Sequence, residues 1–194
     1  MLYIIRHGET ASNRKNLLQG RSNLSLNEYG INQARSAGEM FKKMGVSFDK
    51  VYTSPLSRAI ETASEITGAE TIVDERLIEM DYGPYEGMDL TDPAPEVMAF
   101  FKDFAGTPAP DGMEQLADVV SRLGEFLEEI KAEAIEKNIL ISTHAIAMKG
   151  ALEYLTPDSK GSYWSRYIGN CSVYVSETGD GAYGVPYEIT AQNE

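Results

Sequence analysis

Short apolar runs that stop abruptly at polar residues alternate with helix-patterned stretches, and this alternation constrains the fold of the chain more than any other feature. Strands interleaved with helices specify an α/β fold with a largely parallel sheet, since parallel strands must be joined through crossover helices. Leu2–Arg6 reads as the first buried strand. Residues 25–44 read as a helix, with Ser25 and Glu28 as a capping box, an apolar stripe at Ile31, Ala34, Ala37, Gly38 and Phe41, and Gly45 as the stop. Lys50–Thr53 reads as a second strand running into Ser54-Pro55, a helix start with serine as N-cap and proline at the first turn. That helix should run to Thr67 and end at Gly68. A third strand is expected at 70–73, a fourth at 138–142, and a helix at 145–155.

The stretch from Glu79 to Gly112 breaks the pattern. Pro84, Pro93, Pro95, Pro108 and Pro110 bracket one short helix near 96–104, after which Asp111 and Glu114 should open a long helix to about Lys137. Two late strands should flank the turn-rich Thr178-Gly179-Asp180-Gly181. With no internal repeat and no low-complexity linker, residues 1–194 read as one domain with an irregular excursion at about 80–112.

Composition removes several classes of function. A net charge of −13 disfavours nucleic acid and anionic membrane as partners, because phosphate backbones attract basic faces. No apolar run approaches the ~20 residues of a membrane span. The start, Met1-Leu2-Tyr3-Ile4-Ile5-Arg6, lacks the layout of a signal peptide, so a cytoplasmic protein is expected. The single cysteine, Cys171, leaves no intrachain disulfide and no cysteine-rich metal cage, and it reads as a small, partly buried residue. Gly179-Asp180-Gly181-Ala182-Tyr183-Gly184 fits a dinucleotide fingerprint, but a strand rather than a helix should follow it, so it reads as a hairpin turn. The sequence leaves the oligomeric state open.

In open α/β sheets ligands bind beyond the carboxyl ends of the strands, near helix N-termini. Three polar clusters fall at such ends: Arg6-His7, Ser54 to Arg58, and Ser142-Thr143-His144. A lone histidine is more often structural than catalytic, but both histidines of this chain sit at strand ends with arginines nearby. Phosphoryl transfer needs a nucleophile, a proton donor for the leaving oxygen, and cations around the equatorial oxygens. Neutral histidine supplies the first, a carboxylate such as Glu79 the second, and planar arginine forks the third. On residue chemistry alone, either histidine could attack or clamp.

The run Arg6-His7-Gly8-Glu9-Thr10 with Asn13 resembles the R-H-G-E-[ST]-x-x-N signature of the histidine phosphatase superfamily, also called the phosphoglycerate mutase-like family. The likeness continues through Gln19-Gly20-Arg21, Leu24-Ser25-Leu26, Gly30, Gln33-Ala34, Ser54-Pro55-Leu56-Ser57-Arg58-Ala59, Thr62-Ala63, Leu77-Ile78-Glu79, Gly83, Glu86-Gly87, Gly112-Met113-Glu114 and His144, in family order over most of residues 1–150. The resemblance implies a three-layer α/β/α fold with a mixed, mostly parallel central sheet. It implies that His7 forms the phosphohistidine, that Arg6, Arg58 and His144 hold the phosphate with an amide from Asn13, and that Glu79 is general acid and then base. Gln19, Gly20 and Ala145 are implied beside the phosphate. It implies no metal and no organic cofactor, and the sequence offers no H-E-x-x-H and no aspartate cluster at metal-ligand spacing. The family usually has glycine after its second histidine, where this chain has Ala145; alanine supplies the same backbone N–H where φ is negative.

The expected reaction is hydrolysis of a small phosphorylated metabolite, with that substrate as the expected partner. Glycolytic mutases of the family carry a longer insertion and a C-terminal tail that shelter the phosphoenzyme from water. Only the interval from Glu79 to Glu114 fills that place here. A mutase is the alternative, and a non-catalytic phosphate-binding module is a third reading. Tyr82, Tyr85 and Met88 either line the substrate pocket or pack the excursion against the core, Phe100 is a candidate to shape the pocket, and Arg21, more than Arg14 or Lys15, is a candidate to add charge at its mouth.

Overall fold

Consecutive residues of the first strand point to opposite faces of a sheet, and this sorts the apolar residues into two cores. In the computed structural model, which describes residues 1–179 and 181–189, Leu2 and Ile4 join one cluster while Tyr3 and Ile5 join the other. The elements are β1 (Leu2–Arg6), α1 (Ala11–Arg14), α2 (Glu28–Lys43), β2 (Lys50–Thr53), α3 (Ser57–Thr67), β3 (Ile72–Val73), α4 (Pro95–Lys102), α5 (Leu116–Glu136), β4 (Ile139–Thr143), α6 (Ala145–Leu155), β5 (Val173–Ser176), β6 (Thr178–Gly179), β7 (Ala182–Tyr183) and β8 (Tyr187–Ile189). The first cluster packs α4, α5 and α6 on one face of the sheet, with Phe100, Phe126, Leu127 and Leu152 at its centre. The second packs α2 and α3 on the other face through Ala34, Phe41, Ala63 and Ile66. The result is the expected α/β/α sandwich.

The main sheet has the order β3-β2-β4-β1-β5-β8. The pairs β3–β2, β2–β4 and β4–β1 are parallel, while β1–β5 and β5–β8 are antiparallel. Every residue of the central strand β4 is buried, which explains why Ile139-Leu140-Ile141 reads as an unbroken apolar run rather than an alternation. β6 and β7 form a small separate hairpin, with Thr178 opposite Tyr183 and Gly179 opposite Ala182. A strand rather than a helix therefore follows Gly181, as its context suggested. Asp180 lies outside the described residues.

Several element starts differ from the sequence reading, each because a side chain has a tertiary partner. α2 is capped by Asn27, whose side chain accepts from Gly30 N, and not by Ser25. Leu26 bridges Thr10 and donates its N–H to Glu61, which holds residues 25–26 extended. α3 begins after Leu56, because Ser54 is drawn toward His144. α5 begins only at Leu116: Gln115 folds back on Ala109, and Glu114 is engaged by Arg122 and the N–H of Asp81. β3 is shorter than expected, and its two residues are exposed at the sheet edge.

The segment carrying His7 lies hard against the start of α2. A Cβ on Gly30 would run into the carbonyl oxygen of Glu9, and one on Gly8 into that of Gly30. Glycine at both positions is what lets the two backbones meet. Gly30→Ala should lower unfolding stability by about 2 kcal/mol, as overpacking does. Urea denaturation checks this, and an unchanged midpoint would show that the contact is slack.

Candidate active site

Parallel registration brings the three polar clusters together. Arg6 lies opposite Thr143 across β1–β4, and Thr53 lies opposite Ser142 across β2–β4. The next residues continue this pairing: His7 N donates to Thr143 O at 2.9 Å and Ser54 N to Ser142 O at 3.0 Å. His7, His144 and Ser54 therefore emerge side by side at one sheet end. The two imidazole rings stand 5.2 Å apart, centre to centre, with their planes at 59°.

The hydrogen bonds of each ring determine its tautomer. His7 Nδ1 lies 2.7 Å from the carbonyl oxygen of Gly8, which can only accept, so Nδ1 carries the proton and the Nε2 lone pair is free. His144 Nδ1 lies 3.1 Å from Arg58 Nε, which can only donate, so this ring carries its proton on Nε2 and donates to Ser54 Oγ at 2.7 Å. The rings are thus set in opposite senses. Burial is the main force pushing the pKa of both histidines well below 6.5, and Arg6 and Arg58 push it further.

The arginines are aimed by backbone carbonyls. Arg58, wholly buried on the first turn of α3, donates from Nη1 to Ser22 O at 2.7 Å, from Nη2 to Gly20 O at 2.6 Å, and from Nε to His144. Burial pushes its guanidinium down to about 10, with Glu79 pulling the other way, so it stays charged at neutral pH. Arg6 donates from Nη1 to Ile168 O at 2.6 Å, and its buried Nε has no partner among the described residues. With five N–H groups per guanidinium, each arginine keeps donors to spare.

Glu79 sits at the N-terminus of α6. Its Oε1 accepts from Met80 N at 2.8 Å and Ala147 N at 3.0 Å, and its Oε2 accepts only from Ile146 N, at 3.2 Å. Arg122 fixes the chain leading to Glu79 through 2.6 Å bonds to the carbonyls of Arg76 and Ile78, and Thr143 Oγ1 donates to Leu77 O.

The remaining expected residues divide by what their polar atoms already do. Asn13 caps α1 reciprocally with Thr10, and its Nδ2 makes only a long, 3.5 Å bond to Gln19 Oε1. Gln19 Oε1 accepts from Thr10 Oγ1, while its buried Nε2 has no partner among the described residues. Gly20 is adjacent, but its N–H goes to the Glu86 carboxylate at 3.0 Å and its carbonyl to Arg58. A Cβ there would lie 2.7 Å from Glu86, Met80 and Tyr82 atoms, so this glycine permits close packing around Arg58. Ala145 opens α6 and lines a cleft of about 420 Å³ together with Arg6.

Some expectations for the surroundings change. Phe100 is fully buried in the core and does not shape the pocket; its neighbours Phe101 and Phe104 line the cleft instead. Tyr85 and Met88 pack the excursion against the core. Arg21 is tied to Asp81 at 3.2 Å and Glu114 at 3.3 Å, which fastens the mouth of the excursion. Arg14 pairs with Glu9 at the surface. Cys171 is partly buried, as read, with its thiol pushed up to about 12 by burial. Sequence reading missed Ser54 as a partner of His144, and Asn170, whose Nδ2 donates to His7 O at 3.0 Å and to Asn13 Oδ1. Ser54 belongs to the second strand-end cluster, yet its sequence context is that of a helix cap; Asn170 lies in an unpatterned loop and carried no signal.

The histidine phosphatase superfamily (branch 1) model matches residues 2–186, and the chain belongs to this superfamily. A 2,3-bisphosphoglycerate-dependent phosphoglycerate mutase of Brucella melitensis is 34% identical over 81% of this chain and 83% of its own. A mutant phosphoserine phosphatase of Entamoeba histolytica, solved in complex with phosphoserine, superposes with a TM-score of 0.84 at 25% identity, covering 98% of this chain and 97% of its own. Mycobacterial glucosyl-3-phosphoglycerate phosphatase superposes with a TM-score of 0.77 at 26% identity, covering 89% and 87%. Phosphatases and a mutase are thus both among the proteins this chain is similar to. Among the described residues no helix is long and apolar enough to cross a membrane.

Since the chain has only two histidines, their protonation can be read directly. At pH 6.5, where an ordinary imidazole is half protonated, the C–H proton resonances of His7 and His144 should still be those of neutral rings. A midpoint near 6.5 for either would contradict the buried, arginine-flanked environment.

Proposed function

We propose that this chain is a phosphomonoesterase that hydrolyses a small phosphorylated metabolite through a phosphohistidine on His7. The observation that carries this reading is the His7 ring itself. Its proton is committed to the Gly8 carbonyl, its Nε2 lone pair is free, and burial, with Arg6 and Arg58 adding to it, holds the ring neutral.

The steps follow from the geometry. The substrate phosphoryl group binds against the spare N–H groups of Arg6 and Arg58, with Asn13 Nδ2 and Gln19 Nε2 as further donors. His7 Nε2 attacks phosphorus, and the bond from phosphorus to the ester oxygen breaks. Glu79 hands the leaving oxygen a proton from Oε2, the less engaged of its two oxygens. Water then attacks the phosphohistidine as Glu79 takes a proton from it, and inorganic phosphate leaves with His7 restored. His144 holds Arg58 through its Nε and adds its own polarity to the pocket; to touch a phosphate oxygen it must exchange one of its present partners. Gly20 acts through Arg58, and the Ala145 N–H stands at the positive end of α6.

The mutase relative supports a second reading, in which the phosphoryl group returns to another hydroxyl of the substrate. Incubation with 3-phosphoglycerate, with and without a bisphosphate primer, separates the two. Phosphate release is expected, and conversion to 2-phosphoglycerate without release would establish the mutase. His7→Ala should cut hydrolysis of p-nitrophenyl phosphate on the order of a thousandfold or more while leaving the fold intact. Undiminished turnover in that variant would remove His7 from the chemistry.

A further inference from the structure

Lys149 takes no part in the steps above, yet it is one of the most unusual charges in the molecule. It lies on α6, one turn beyond Ala145, a rise of about 6 Å. Its side chain is 8% exposed. Nζ donates to the carbonyl of Trp164 at 2.8 Å and lies 5.0 Å from the centre of the Phe104 ring. Among the described residues it makes no ion pair. A buried ammonium group is costly unless matched by an anion, and a single carbonyl with one aromatic face leaves it undermatched. Burial pushes it down to about 8, with Glu79 opposing and Arg6 adding to the effect.

The lysine also lines the same cleft as Arg6 and Ala145. Lys102 and Arg166 line that cleft too, and Asp103 is its one carboxylate, in a chain whose net charge is −13. The acidic surface thus gives way to a local excess of positive charge in the cleft that Arg6 and Ala145 share with Lys149. Phe101, Phe104 and Trp164 supply flat apolar walls. At about 420 Å³ the cleft is of a size to hold a whole leaving group.

Resting on the phosphomonoesterase reading, we infer that Lys149 receives an acidic group carried by the leaving alcohol. The preferred substrates are then phosphomonoesters that bear a carboxylate or similar anion one helical turn from the ester oxygen. An anionic leaving group completes the pairing that the protein leaves open and seats its body between the aromatic walls. A lysine that merely stapled α6 to the Trp164 carbonyl would not distinguish a charged leaving group from a neutral one.

The test compares kcat/KM for 4-carboxyphenyl phosphate and 4-carbamoylphenyl phosphate, which share an outline and differ in charge. Hydrolysis of p-nitrophenyl phosphate is measured alongside. The protein should prefer the carboxylate by on the order of tenfold or more. In Lys149→Met, which keeps the stem and removes the buried charge, that preference should vanish; Lys149→Arg should retain part of it. Lys149 faces Arg6 from β1, Glu79 from the loop before the excursion, Lys102 and Asp103 at the end of α4, and Arg166 and Tyr167 from the segment after α6. Since kcat/KM reports the free enzyme, the preference should fall as pH rises through about 8, where Lys149 loses its proton, and should stay flat in Lys149→Met. An equal ratio in the two proteins overturns the inference. Failure to hydrolyse any of the three esters overturns the phosphatase reading instead, and calorimetric binding of 4-hydroxybenzoate against 4-hydroxybenzamide then judges the subsite alone. Tighter binding of the acid that is lost in Lys149→Met sustains the subsite, and equal binding removes it.

Discussion

The site rests on the registration of the buried strand β4 against β1 on one side and β2 on the other. A slip of one residue along either pairing would turn every side chain of the strand to the opposite face, taking apolar residues out of both cores. The core thus enforces the register, and the register in turn enforces the adjacency of His7, Ser54 and His144, which stand up to 137 residues apart in the chain. The chemistry is grafted on at the strand ends, where backbone N–H and C=O groups no longer complete a ladder and can aim side chains instead.

That aiming is done largely by main-chain carbonyls. Arg58 spends three donors on Ser22, Gly20 and His144, and Arg6 spends one on Ile168. Among the described residues each guanidinium is thereby fixed without a neutralising carboxylate in contact, so its charge stays available to an incoming anion. Burial keeps both imidazoles neutral and the same cations add to it, which is the state a nucleophilic ring needs. The acidic exterior and the cationic interior are compatible because the positive groups are few, buried and convergent.

Much of this was legible in the chain. The strand-end clusters at Arg6-His7, Ser54 to Arg58 and Ser142-Thr143-His144 are local patterns, and the ordered motifs assigned them to one family before their contacts were seen. Partners set by tertiary contact were not legible. Ser54-Pro55 has the composition of a helix start, but a buried imidazole competes for the hydroxyl and prevails. Ser25 looks like a cap, but the bridge from Leu26 to Thr10 holds its segment extended. Lys149 carries no local pattern that marks it out, and only the segment around Trp164, folded against α6, shows that it is buried. Phe100 and Phe101 are neighbours in sequence with opposite fates, one in the core and one lining the cleft, which only the placement of α4 decides.

The central claim is that His7 Nε2, freed by the Gly8 carbonyl, accepts the phosphoryl group. Rapid quenching of the enzyme with a radiolabelled aryl phosphate under alkaline denaturing conditions, followed by tryptic mapping, tests it most directly. Cleavage after Arg6 and Arg14 isolates a peptide whose only histidine is His7, whereas His144 falls in a peptide ending at Lys149. The account predicts an acid-labile, alkali-stable label on the His7 peptide. Label on the His144 peptide, or an acid-stable ester on a serine or threonine, would contradict it.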